Sequence, residues 1–219
     1  MRQKGRLYNL LVSLLLLLFV YPYFEKSLLA EKLLALFFTF ILVSGVLAVS
    51  GQKRVRLFVS IFLAVPAVVL IWFNQFFTNE ILNFLTLVFP VFFSFFTMFC
   101  IVSFLMRARK VTSDILAGAA SAYLLIGISW GLMYMLLEVA DPGSFTVNIS
   151  VGTDILKKWS TFNYYSFTTL TTTGYGDITP LSSRAQSLAL LEMVFGVLFT
   201  ALLISRLVGM YLYQLREDK

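Results

Sequence analysis

Six long apolar runs, separated by short clusters of charged or turn residues, govern what this chain can become. They fall at roughly 7–24, 33–50, 57–77, 81–106, 115–138 and 184–212, each 17 or more residues long. As helices, runs of that length cross a hydrocarbon core of about 30 Å. Hydrophobic residues supply 59% of the chain and charged residues 13%, whereas a soluble domain carries about 25% charged residues. No soluble core encloses so much apolar surface, so the expected fold class is an all-α integral membrane protein with six transmembrane helices. Pro66 and Pro90 fall inside the third and fourth runs and should kink those helices unless neighbours satisfy the freed carbonyls.

The net charge of +6 is not arranged as a nucleic-acid surface. One side of the membrane receives Arg2, Lys4, Arg6, Lys53, Arg54, Arg56, Arg107, Arg109, Lys110, Arg206, Arg216 and Lys219, and the other receives Lys26, Lys32, Lys157, Lys158 and Arg184. Twelve against five predicts a multi-pass protein of the cell (plasma or inner) membrane with both termini cytoplasmic and membrane lipids as neighbours. Residues 141–183 then lie outside, with Asn148-Ile149-Ser150, a three-residue sequon read as chance. Met1 to Arg6 and the apolar run after it have the build of a secretory signal. No small-x-small site follows Tyr23, so the run is expected to be retained as a first helix. Cys100 is the sole cysteine and histidine is absent, which excludes an intrachain disulfide and a Cys/His zinc site. Cys100 is expected to pack as a small apolar residue. No cofactor and no nucleic-acid partner are expected. Enzymatic chemistry would need a nucleophile or an acid–base pair, and Glu192 is the one intramembrane acid, with no evident mate.

The stretch 141–183 breaks the pattern. Residues 159–171 predict a helix too short to span, leading straight into Thr172-Thr173-Gly174-Tyr175-Gly176-Asp177. Non-helical backbone at membrane depth is tolerated only where it is buried in protein or lines a water-filled path, so this stretch reads as a re-entrant pore helix and extended loop. A dehydrated potassium ion needs its water oxygens replaced, and consecutive backbone carbonyls facing one way do this. Gly174 and Gly176 reach the required positive φ at little steric cost. Thr172 would add a hydroxyl oxygen, while Thr173 and Tyr175 would point away and wedge the strand against its helix. The carbonyl end of that helix, near Thr169 to Thr171, carries about half a negative charge and would stabilise a cation in a central cavity.

On these residues, 114–212 resemble the two-helix pore module of potassium channels, whose selectivity filter reads Thr-hydrophobic-Gly-Tyr-Gly-Asp. The resemblance implies a homotetramer passing K+ as permeant ion. Its ion-binding filter would comprise Thr172, Thr173, Gly174, Tyr175 and Gly176, with the carbonyls of Thr172, Thr173, Gly174 and Tyr175 and the Thr172 hydroxyl as K+ ligands. It also implies support from Thr171 and an aromatic collar in which Tyr165 is hydrogen-bonded to Asp177 of its own or a neighbouring chain. Thr173 departs from the pattern, where valine or isoleucine is commoner. Its carbonyl would do the coordinating, so selectivity should survive. The whole chain resembles six-span prokaryotic potassium channels with a sensorless front half. No Lys, Arg, Asp, Glu or His lies between Ile81 and Met106, so no gating charge there can move through the membrane field. Residues 1–110 would form a four-helix front domain and 111–219 the pore domain.

The last run holds the remaining candidates, Glu192, Gly196 and Thr200. Glu192 either faces the back of the pore helix or faces the cavity. Gly196 is either a gating hinge or a point of close helix packing. Gly127 and Gly131 have the spacing of a helix-packing pair, and Arg206 is expected at the cytoplasmic interface. The function read from the sequence is passive potassium flux through a tetrameric pore that is not classically voltage-gated; a non-selective monovalent cation channel is the alternative.

Overall fold

The computed structural model describes residues 5–20, 23, 30–77, 79–108, 110–147 and 155–217. Arg2, Lys4, Lys26, Arg109, Lys219 and the sequon at Asn148 lie outside them. The described chain forms α1 (Arg6–Val20), α2 (Ala30–Val49), α3 (Arg54–Phe73), α4 (Glu80–Leu105), α5 (Ser113–Ala140), β1 (Phe145–Val147), α6 (Ile155–Leu170), β2 (Ile178–Pro180) and α7 (Ser183–Glu217). Five of these, α2 through α5 and α7, are long and apolar enough to cross a membrane. The described part of α1 has 15 residues, shorter than the run expected at 7–24, so a sixth crossing is not among the membrane-length helices.

Local chemistry sets the helix ends. Thr112 caps α5, its hydroxyl accepting from the Ile115 amide at 3.3 Å, and Asn79 caps α4 by accepting from Ile81. Ser182 accepts from the Ala185 amide at 3.2 Å and so begins α7. Both α3 and α4 stay helical through Pro66 and Pro90. The Ser94 hydroxyl, one turn beyond Pro90, donates to the Pro90 carbonyl at 2.5 Å.

The fold is organised around α5: 78% of an 18-residue apolar stretch of α5 is buried, against 22% of the corresponding stretch of α7. Leu7, Leu10, Leu14 and Leu17 of α1 are fully or almost fully buried, at helical spacing. Leu7 seats against Gly118 of α5, where an added Cβ would lie 2.8 Å from the leucine methyl. The Ser121 hydroxyl reaches the Leu7 carbonyl from the same face. On α4, Phe95 meets Trp130 of α5 edge-on at 5.9 Å, and Phe38 of α2 meets Trp159 of α6 edge-on at 5.7 Å. Cys100 is buried in α4, as a small apolar residue would be. The strands β1 and β2 pair antiparallel, with Phe145 opposite Pro180, Thr146 opposite Thr179 and Val147 opposite Ile178. That ladder ties the segment after α5 to the segment that returns from α6. Amides of Leu181 and Ser182 extend it by donating to the Ser144 carbonyl at 2.8 and 3.2 Å.

Candidate functional site

The short helix expected at 159–171 is α6, starting one turn earlier and ending at Leu170. Its outer partner is α5, approached through glycine. A Cβ on Gly131 would sit 2.9 Å from the Asn163 Cα and 3.2 Å from the Phe162 carbonyl oxygen, and one on Gly127 would lie 2.5 Å from the Phe167 ring. The glycine pair therefore serves helix packing, between α5 and α6. The inner partner is α7, where a Cβ on Gly196 would stand 2.8 Å from the Leu170 carbonyl oxygen. Because α7 is an unbroken helix through Gly196, close packing is the reading of this residue that the structure favours over a hinge. Thr200, one turn on, donates to the Gly196 carbonyl at 2.9 Å and points back along its own helix.

Beyond Leu170 the backbone changes character. Thr172, Gly174 and Gly176 have φ of 58°, 55° and 78°, while Thr173 and Tyr175 do not have positive φ. An alternating sign of φ is the pattern that lets consecutive carbonyls share one side of the chain. The glycines were expected to adopt it; Thr172 was not. A β-branched residue there is an outlier costing about 1–3 kcal/mol, and such strain persists only where the surroundings over-determine it. Here the amides of Thr172, Thr173 and Gly174 turn back to the last turn of α6, donating to the carbonyls of Thr169 at 3.0 Å and of Thr168 at 2.9 and 3.2 Å. Side chains add a second tether. The Thr171 hydroxyl donates to the Phe167 carbonyl at 2.7 Å, leaving its oxygen to accept from the Thr173 hydroxyl at 2.9 Å. Valine at 173 could not make that bond, so the departure from the commoner pattern has a structural use.

The expected bond from Tyr165 to Asp177 is not made within the chain. Within the single chain it is Tyr164 that meets Asp177: the phenol donates a hydrogen bond to that carboxylate, and this bond raises the Tyr164 phenol above its ordinary pKa. Tyr164 also lies parallel to Tyr175, ring centres 6.3 Å apart and planes within 3°. Tyr165 is buried, sharing a hydrogen bond with Thr169 and packing edge-on against Tyr134 at 4.9 Å and Phe145 at 5.5 Å. Successive helix residues point about 100° apart, so once Tyr165 enters the core its predecessor must face the loop. Asp177 in turn accepts from the Ile178 amide at 3.1 Å.

Glu192 is fully buried behind α6. It meets the Ser166 hydroxyl and the Tyr134 hydroxyl, each at 2.5 Å, and so faces the back of the short helix α6. Sequence reasoning missed both mates; a hydroxyl on the inward side of the short helix was the available signal. At the other end of α7, Arg206 donates to the carbonyls of Met106 and Ala108 at 2.9 and 3.1 Å, and Gln214 accepts from the Val111 amide at 3.2 Å. Both grip the connector between α4 and α5.

Residues 132–213 match the model of a family described as "Ion channel". The match runs from the second half of α5 through α6, the alternating loop and most of α7, well under half of the chain. It supports an ion channel and, with five apolar helices of membrane length, a multi-pass membrane protein. No curated protein and no solved structure matches the chain.

Proposed function

We propose that the chain is one subunit of a homotetrameric, potassium-selective channel in which Thr172 to Gly176 line the ion path. The observation that carries this reading is the alternation of φ at Thr172, Gly174 and Gly176 in a loop that follows a non-spanning helix. Carbonyls of Thr172, Thr173, Gly174 and Tyr175, with the Thr172 hydroxyl, would replace the hydration shell of K+. One strand cannot surround an ion, whereas four around an axis place eight oxygens about each position. Two surfaces are consistent with that assembly. Thr171 to Gly176 are exposed in the single chain, and so is the larger part of α7, including Leu190, Leu191, Val194, Leu198 and Leu202. Four copies would set those α7 faces around an inner cavity and against one another, with the carbonyl ends of four α6 helices aimed at the cation within.

In this reading both termini are cytoplasmic, Arg206 sits at the inner membrane surface, and the front helices α1 to α4 bias the pore without a charged sensor. Purified protein in liposomes under a potassium gradient tests the proposal. Potassium is expected to pass at least about tenfold better than sodium, read as a reversal-potential shift when the ions are exchanged. A shift near zero would leave a non-selective cation channel, and native mass measurement showing a conducting dimer or monomer would overturn the assembly.

A further inference from the structure

Behind the filter, Glu192 stands with two hydroxyls and one carbonyl in a row that crosses three helices. Tyr134 of α5 meets Glu192 Oε2 at 2.5 Å; Glu192 Oε1 of α7 meets Ser166 Oγ of α6 at 2.5 Å; Ser166 Oγ meets the Gly127 carbonyl oxygen of α5 at 2.7 Å. These are three oxygen–oxygen contacts at hydrogen-bonding distance, and each needs one proton between its atoms. The two hydroxyls bring one hydrogen each, and a backbone carbonyl brings none. With an ionised Glu192 the row is one proton short. Ser166 would have to choose between Glu192 and Gly127, leaving two oxygens pressed together with nothing between them.

We infer that Glu192 is held as a neutral carboxylic acid whose proton closes this row and clasps α6 to both α5 and α7. Tyr134 donates to Oε2, Oε1 donates to Ser166, and Ser166 donates to Gly127. The surroundings agree. Glu192 is fully buried in a membrane-length helix, where an unpaired charge is costly. The groups facing it are the phenols of Tyr134 and, at longer range, Tyr123 on α5 and Tyr165 on α6. Among the described residues the ion pair found is Arg184 with Asp141, an exposed pair about two turns along α7 from Glu192. Glu192 is thus a positioning residue: it touches no ion, but it fixes the helix from which Thr168 and Thr169 hold the filter amides. The inference about conduction rests on the channel reading above; the inference about the proton does not.

Infrared difference spectroscopy on the purified full chain, wild type minus E192Q, reads the proton directly. The expected difference is the carbonyl stretch of a protonated carboxyl group, and carboxylate bands in its place would overturn the proposal whether or not the protein conducts. The variants give an independent reading. Glutamine can accept from Tyr134 and donate to Ser166, so E192Q should keep wild-type thermal stability and potassium flux in liposomes. E192A leaves the Tyr134 hydroxyl and the Ser166 oxygen without partners and should lose about tenfold or more of the flux. E192Q behaving like E192A would overturn the neutral acid. Raising the pH until the carboxyl band converts to carboxylate should lower wild-type flux in step while leaving E192Q flux constant. Flux that ignores the conversion would remove the link to permeation while leaving the channel reading intact.

Discussion

Replacing Gly196 by alanine separates a packing glycine from a hinge glycine. An alanine Cβ at 196 would lie 2.8 Å from the Leu170 carbonyl oxygen and 2.7 Å from a Leu170 methyl. The methyl can rotate away, but the carbonyl is backbone at the end of α6. Reaching an ordinary contact of about 3.5 Å requires α7 and α6 to part by roughly 0.7 Å. Overpacking of that kind costs about 1–3 kcal/mol, partly offset by the gain of about 0.8–1.0 kcal/mol when alanine replaces glycine inside a helix. Gly209 supplies the reference, because a Cβ there meets nothing within 4 Å and opens onto a cavity of about 370 Å³ lined by Ala108, Arg206, Met210 and Tyr213. Gly209→Ala should therefore show the propensity gain alone. Thermal unfolding in detergent, followed by loss of the assembled species on size exclusion, should place Gly196→Ala below Gly209→Ala by about 1–3 kcal/mol per chain. At about 2–4 °C per kcal/mol for chains of this size, the difference is several degrees in Tm. A hinge predicts the contrary: Gly196→Ala would be as stable as Gly209→Ala and altered only in its opening. Equal Tm values for the two variants would refute the packing argument.

Three further outcomes follow from the same geometry. Thr173→Val should leave the potassium reversal potential unchanged but remove the tether to Thr171, worth about 0.5–1.5 kcal/mol per chain; recovery of flux after potassium withdrawal should be poorer, and a variant as durable as wild type would discount the tether. Tyr164→Phe should shorten filter survival in the same withdrawal assay while Tyr165→Phe does so less, because Asp177 faces Tyr164; the reverse order would restore the Tyr165 collar. Open probability should depend weakly on voltage, since strongly gated channels move three to four charges per subunit and α4 from Ile81 to Leu105 has none; a steep conductance curve in planar bilayers would contradict this.

The sequence by itself determined where most helices begin and end and which short segment is chemically exceptional. Apolar length and capping residues such as Thr112 and Asn79 act within one or two turns, so they are visible without a partner. The exceptional status of Gly174 and Gly176 was legible for the same reason: a positive φ is a local property that glycine adopts freely. Tertiary structure decided the rest. Thr172 carries a positive φ that its own preferences oppose, and the return of three amides to α6 imposes it. Which tyrosine faces Asp177 depends on the rotation of α6 against α5, and a run of aromatic residues in sequence leaves that phase open. The mates of Glu192 lie 26 and 58 positions away on two other helices. Hydrophobic periodicity marks a buried face but not the neighbour that covers it, so a lone acid in an apolar run announces a need for partners without naming them. Only the docking of α5, α6 and α7 brought Tyr134 and Ser166 to it.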